Sequence, residues 1–305
     1  MARKSPKHFT GLVSILGRPN AGKSTLLNAL MGQKIAIVAP KPQTTRTSIQ
    51  GVLTLENSQI VFLDTPGIHR SDSLINRRMM QSVRDAAQGR DLLLFLADAS
   101  TPPGPEDRRA LDVVKSAETP VFLVLNKVDR VSPKTLLLER IEQYKTLHDF
   151  AEYFTVSALK RQGLEDLTKT ISRRLPEGPP MFPPDYLTDQ PERFLAAELI
   201  REKILRGTHQ EVPHSVAVVV EEWTVEGRLV RRLATVYVER AGHKAILIGK
   251  GGEMLKKIGS SARLDIEKLL DRRVFLELFV KVRDKWREDP QFLNEIDWRG
   301  LGERG

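Results

Sequence analysis

The sequence predicts two folded halves: an α/β half built on a mostly parallel, doubly wound sheet, then a smaller α+β half. Three observations carry that prediction. Short apolar runs alternate with helix-length amphipathic stretches from about residue 10 to 175. Gly17-Arg18-Pro19-Asn20-Ala21-Gly22-Lys23-Ser24 fits the phosphate-loop pattern G-x-x-x-x-G-K-[ST], with a strand-like run before it and a helix-like run after it. Leu175 to Pro184 holds five prolines in ten residues, which excludes a helix or a central strand and marks a semi-extended boundary.

In the first half the apolar runs are Leu12–Leu16, Ser48–Leu55, Ile60–Leu63, Leu92–Ala97, Val121–Leu125 and Phe154–Val156. Helix-length stretches lie between most of them: Leu74–Gln88, Glu106–Ala117, Thr135–Phe150 and Leu164–Leu175. Ligands of such sheets bind beyond the carboxyl ends of the strands, and the polar motifs sit there. Glycines in the phosphate loop let backbone N–H groups approach a polyphosphate, and the following helix N-terminus adds partial positive charge. Lys23 can reach β- and γ-phosphate oxygens, and the Ser24 hydroxyl can ligate Mg²⁺.

Asp64-Thr65-Pro66-Gly67 ends the third run. A carboxylate at that strand tip suits Mg²⁺, directly or through water, and Gly67 can bring its N–H to a γ-phosphate. Its composition alone would also make a turn. Pro42-Gln43-Thr44-Thr45-Arg46 offers a threonine to complete the metal shell, Thr45 in preference to Thr44. Asn126-Lys127-Val128-Asp129 follows the fifth run. A carboxylate such as Asp129 can accept from guanine N1–H and the 2-amino group, donors that adenine lacks. The Asn126 amide can bind base or loop atoms, and the Lys127 stem can cover the ring. In Ser157-Ala158-Leu159 a backbone N–H can meet guanine O6.

Composition narrows the class. The chain is 40% hydrophobic and 29% charged, as expected of a soluble globular protein. No stretch of 18 apolar residues could span a membrane, and the basic start, Met1 to His8, does not read as a signal peptide. Without cysteine there is no disulfide, thiolate metal site or thiol nucleophile, which suits a reducing cytosol. The net charge of +9 favours polyanionic partners. From Met181 onward, however, 22 Lys and Arg face 21 Asp and Glu, so a nucleic-acid site there must be a local patch. Lys244 to Arg287, with 12 basic and 6 acidic residues, is the candidate.

After the prolines comes an amphipathic helix, Pro191–Gly207, then β-rich runs Ser215–Val225 and Leu229–Glu239 joined near Glu226-Gly227. Lys244–Leu270 reads as helix, break, helix, and Val274, Leu276, Leu278, Val280 and Val282 alternate along one strand face. The order is α-β-β-α-α-β. In its helical break sits Ile248-Gly249-Lys250-Gly251-Gly252, a G-x-x-G pattern.

The ordered motifs GRPNAGKS, QTTR, DTPG, NKVD and SAL resemble the translation-factor-like GTPases, and GRPNAGKST, PQTTR and DTPGIH look most like the bacterial Era family. The second half resembles a type II KH domain. The resemblance implies a P-loop GTPase domain at 9–176, a linker at 177–190, a KH type II domain at 191–287 and a tail at 288–305. It implies GTP and GDP binding by Gly17, Arg18, Pro19, Asn20, Ala21, Gly22, Lys23, Ser24, Thr25, Asp64, Thr65, Pro66, Gly67, Ile68, Asn126, Lys127, Val128, Asp129, Ser157, Ala158 and Leu159. Hydrolysis then falls to Lys23, Thr45 and Gly67, with Mg²⁺ on Ser24, Thr45 and Asp64. Many GTPases carry a water-orienting Gln just after the switch glycine; here that place holds Ile68, leaving the water-orienting group unidentified. Asn20 resembles the asparagine that helps bind K⁺ in cation-activated relatives, and equally an asparagine that only stabilises the loop.

In the second half the resemblance implies RNA contact by Ile248, Gly249, Lys250, Gly251, Gly252, Lys256 and Lys257. Single-stranded ribosomal RNA and the small ribosomal subunit are the implied partners, with a role in its assembly in the cytoplasm. Peripheral association with the membrane stays open. So does a rival reading, in which the second half docks a protein or membrane surface. An ATP-dependent phosphotransferase is disfavoured by Asn126-Lys127-Val128-Asp129 and by the absence of an evident acceptor site.

Overall fold

The computed structural model describes residues 7–41, 43–68, 73–209, 211–226 and 229–297. Pro42, Gly227 of the predicted hairpin turn and the last eight residues of the predicted tail lie outside them. By contacts the chain divides into two units.

The first unit is an α/β sandwich. Its strands are β1 (Phe9–Leu16), β2 (Ile49–Thr54), β3 (Ser58–Asp64), β4 (Leu92–Asp98), β5 (Val121–Asn126) and β6 (Glu152–Thr155). Its helices are α1 (Lys23–Met31), most of α2 (Leu74–Ala87), α3 (Pro105–Lys115), α4 (Leu136–Lys145) and α5 (Leu164–Arg174). The sheet order is β2-β3-β1-β4-β5-β6, with β2 antiparallel to β3 and the other neighbours parallel. Every residue of β4, Leu-Leu-Leu-Phe-Leu-Ala-Asp, is buried. A strand covered on both faces needs no polar alternation. Leu92, Leu94 and Leu96 pack on one side with Leu26, Leu27 and Leu30 of α1 and Leu167 and Ile171 of α5. Leu93, Phe95 and Ala97 pack on the other with Val83 of α2, Leu111 of α3 and Tyr144 of α4.

Two predicted elements shift. The helix expected through Phe150 stops at Lys145, because Phe150 turns into the core beside Phe95. The last strand begins at Glu152 and ends before Val156, where the chain leaves the sheet. The proline-rich stretch is strapped to the first unit. Gln59 receives the N–H groups of Met181 and Phe182 and donates to Phe182 O. Leu187 O accepts from Val52 N–H, and Thr188 Oγ1 donates to Gln50 O. The free edge of β2 is thereby partly paired.

The second unit contains α6 (Glu192–Gly207), β7 (Val216–Glu226), β8 (Leu229–Val238), α7 (Ala241–Ile248), α8 (Glu253–Leu270), β9 (Arg273–Val282) and α9 (Pro290–Ile296). Its sheet is β7-β8-β9, antiparallel then parallel. Leu199, Ile200 and Ile204 of α6, Ile258, Ala262 and Ile266 of α8, and the inward strand residues form one core. The predicted apolar face of β9 is buried at Val274 and Val280, but Val282 is exposed at the strand end. The described part of the predicted tail, residues 288–297, folds: Asp289 caps α9 through the N–H groups of Gln291 and Phe292, and Phe292 stands edge-on to Tyr237 and to the buried Trp286.

Contacts also assign Ile37–Thr44 to this second unit. Ile37 joins its core. The buried Glu202 carboxylate accepts the Val38 N–H, Arg206 donates to Val38 O, and Arg201 donates to Gln43 O and Thr44 O.

Candidate functional site

The phosphate loop leaves β1 through Gly17, whose φ of +149° and close backbone neighbour both exclude a side chain: a Cβ would stand 2.3 Å from Leu96 O. Asn20 takes a left-handed conformation and exposes its side chain. Gly22 then leads into α1, and Lys23, Ser24 and Thr25 form its first turn. Lys23 is buried and folds over the loop, donating to Gly17 O and Arg18 O at 3.1 Å each. Burial lowers its pKa to about 8, against the pull of Asp64.

Ser24, Thr45 and Asp64 come together at the end of β3. Ser24 Oγ donates to Asp64 Oδ2 at 2.6 Å and lies 2.8 Å from Thr45 Oγ1, and Thr45 Oγ1 donates to Asp64 Oδ2 at 3.4 Å. Asp64 is fully buried, and its Oδ1 has no hydrogen-bond partner among the described residues. Burial raises the carboxyl to about 6, although Lys23, Ser24, Thr45 and the Thr65 backbone all favour its charge. Two hydroxyls and an orphaned buried carboxylate oxygen are the hard oxygen donors that Mg²⁺ takes, so the residues present fit that ion. Thr44 does not compete: its hydroxyl donates to Ala39 O and Lys41 O.

Beyond Asp64, Thr65 is buried and donates to Ile15 O at 2.9 Å, and a Cβ at Gly67 would stand 2.9 Å from Pro19 Cα. Pro66 is buried between them. Ile68 sits in the core cluster facing α2 and α3, so its side chain points into packing and its backbone alone can serve a ligand.

The base motif is more mechanical than the sequence suggests. Asn126 spends its amide on the protein, donating to Ala21 O at 2.9 Å and accepting from Ala158 N–H at 3.0 Å. It ties the phosphate loop to the Ser157 loop. Val128 packs in the core. Lys127 donates to Asn20 O and Asp98 Oδ2, both at 2.6 Å. Asp129 is exposed, with Oδ1 held by the buried Ser157 hydroxyl, which also accepts Lys160 N–H. Leu159 is exposed. Sequence reasoning missed Asp98; its signal was an acid ending the most buried run.

In the second unit Gly249 ends α7 at φ +72°, where a Cβ would stand 2.8 Å from Met254 Cβ. A Cβ at Gly251 or Gly252 would meet nothing within 4 Å, so that backbone is open to approach. Lys250, between Gly249 and Gly251, is exposed. Beside the loop lies a groove of about 380 Å³ lined by Leu255, Lys256, Arg263, Leu276 and Leu278 among others. Arg263 was not anticipated, and Lys257, one position round the helix, does not line the groove. Ile248 packs against the core beneath.

Fold and site define the class: a P-loop GTPase joined to a KH domain. The family model described as 50S ribosome-binding GTPase matches residues 12–127, and the KH domain model matches residues 211–287. The chain is 50% identical to the GTPase Era of Geobacter metallireducens over 291 residues, covering 95% of this chain and 97% of that one. It is 51% identical to that of Geotalea daltonii, with the same coverage. The chain belongs to the GTPase Era family. Among solved structures, a single-residue variant of Aquifex aeolicus Era bound to GDP·AlF4⁻ superposes with a TM-score of 0.92 at 39% identity, covering 95% of this chain and 99% of that one. Era in complex with MgGDPNP and nucleotides 1506–1542 of 16S ribosomal RNA matches with the same score, identity and coverage.

Proposed function

We propose that the chain is a Mg²⁺-dependent, GTP-hydrolysing switch that binds single-stranded ribosomal RNA of the small subunit through its KH domain and assists small-subunit assembly. The observation that carries the RNA half is the open backbone at Gly251 and Gly252 beside a groove with an apolar floor and a basic rim. A relative of the same fold is solved with 16S ribosomal RNA and MgGDPNP, which supports the reading. In the first unit, Lys23 and the loop N–H groups would neutralise the phosphates, and Thr45 and Gly67 would sense the γ-phosphate. Asp129 would read guanine, with Lys127 across the ring. Ser24, Thr45 and Asp64 would hold Mg²⁺, which would supply charge neutralisation to the phosphates.

The test is a double variant, Lys250→Asp with Gly251→Asp. It sets two negative charges and added bulk against the RNA backbone. Filter binding of single-stranded 16S fragments should collapse while GDP affinity stays near the parental value. Survival of RNA binding would favour the reading in which this domain docks a protein or membrane. Location belongs to the same proposal: cytoplasmic, with peripheral contact at the membrane's cytoplasmic face to be checked by vesicle co-sedimentation. No described helix is long and apolar enough to cross a membrane.

K⁺ is the finer part of the proposal. Asn20 exposes its amide at the loop, and the place of a water-orienting Gln holds the core residue Ile68. A monovalent cation on Asn20 would add charge that an arginine finger supplies elsewhere. Hydrolysis should run faster in KCl than in NaCl at equal ionic strength; equal rates rule the site out.

A further inference from the structure

Behind Lys127 and Arg18 lies a pair of carboxylates, Asp98 and Asp107, that the nucleotide chemistry above leaves unused. Lys127 Nζ holds Asp98 Oδ2 at 2.6 Å, and the same oxygen lies 3.7 Å from Arg18 Nη2. Arg18 does not close that gap. Its Nε stands 3.4 Å from Asp107 Oδ1, an ion pair in which neither atom makes a hydrogen bond among the described residues, and its Nη2 donates to Thr101 Oγ1 at 2.8 Å. Asp107 is 1% exposed; its Oδ2 accepts Gly104 N–H at 2.9 Å at the start of α3. The buried Tyr144 of α4 is beside it, its phenol pushed up by burial first and by Asp107 second. Asp98 Oδ1 is occupied too, by the Ser100 N–H and hydroxyl.

Two cations thus face one carboxylate oxygen. In open competition the planar guanidinium has the advantage, because it pairs with carboxylates in a fork that an ammonium cannot match. A second carboxylate, buried and unable to lose its cation cheaply, keeps Arg18 engaged elsewhere. Asp98 stays with Lys127, and Lys127 stays over the Asn20 carbonyl.

We infer that Asp98 and Asp107 are positioning residues for guanine-nucleotide binding: Asp98 fixes the Lys127 side chain, and Asp107 acts through Arg18 by holding it off Asp98. The inference rests on the reading of Lys127 and Asp129 as the guanine site. It assigns the network to the base and not to the phosphates or the metal. Its loss should therefore weaken GDP and a non-hydrolysable GTP analogue by the same factor, raise KM for GTP and leave kcat within about twofold.

The experiment uses the full chain and calorimetric titration with GDP and the analogue. Asp98→Asn should weaken both by about tenfold, the loss of one charge-assisted hydrogen bond. Asp107→Asn keeps an acceptor for Gly104 and should cost about fivefold in the parent and nothing further in the Asp98→Asn background. Such non-additivity distinguishes action through Asp98 from a helix-capping role, whose cost would appear in both backgrounds. Thr101 is exposed, so Thr101→Val carries the same test without threatening the fold; it should cost about two- to threefold in the parent alone. If Asp98→Asn weakens binding but Asp107→Asn and Thr101→Val do not, or if their costs persist in the Asp98→Asn background, the role of Asp107 is overturned. If Lys127→Ala and Asp98→Asn both bind GDP as the parent does, the guanine-site reading falls, and the inference with it.

Discussion

Asp64 is pulled in two directions. The fold buries it completely, yet its orphaned oxygen suits a cation only when ionised. Burial wins and raises the carboxyl to about 6. Because the folded value lies above the unfolded one near 3.8, protonation favours the fold. The contribution of Asp64 to stability is whole below about pH 4 and is lost as pH rises through about 6, a change on the order of 3 kcal/mol. Lys23, lowered to about 8, does not interfere: it is charged in both states across that window, and its own effect enters only as pH approaches 8. Bound Mg²⁺ would offset the cost of the ionised carboxylate. In chelator, the melting temperature should fall from pH 4 to pH 7 relative to Asp64→Asn, and added Mg²⁺ should stabilise the parent more at pH 7 than at pH 5. Parallel profiles for parent and Asp64→Asn would refute this.

Elements show where the sequence was legible and where it was not. The strands of the first unit were, because a doubly covered strand such as β4 is a run of apolar residues with a motif at its end. Lys23, Ser24, Thr45 and Asp64 were likewise singled out by local pattern, and the fold brings the last three within hydrogen-bond reach of one another. What stayed hidden depends on partners distant in sequence. For Asn126 the sequence leaves base and loop atoms as alternatives, and only the fold shows the amide spent on Ala21 and Ala158. Nothing near Gln59 tells that it straps Met181 and Phe182. Helix α9 is the clearest case: seven residues are too few for helical periodicity to stand out, and the reason it forms is the pocket made by Tyr237 and Trp286. That makes a prediction. Phe292 is fully buried, so Phe292→Ala should cost about 3–5 kcal/mol as a large-to-small core change. Denaturant unfolding of the second unit reads it, and a cost below about 1 kcal/mol would return the segment to the status of a tail.

At the scale of the whole molecule, charge and RNA binding part company. The excess of +9 resides almost wholly before Met181, where Lys and Arg outnumber Asp and Glu by eight. The groove and loop that we assign to RNA sit in the nearly neutral remainder, with Lys250, Lys256 and Arg263 around them and Glu277 on the lining. Affinity for a polyanion falls with salt according to how many phosphates the protein neutralises, and each contact contributes about −0.7 to the log–log slope for single strands. Arg263 is paired with Glu267 at 3.0 Å, so even with it released three cations at the groove set the expected slope no steeper than about −2, and most of the affinity must come from bases packed on Leu255, Leu276 and Leu278 rather than from charge. Filter binding of single-stranded RNA between 50 and 300 mM KCl (about the usual working range) should give that shallow dependence. It should also show a preference among sequences that survives at the high-salt end. A slope steeper than about −5, with no preference left at high salt, would mean that the RNA is held by the basic first unit as a polyelectrolyte. The groove would then have to be given to some other ligand.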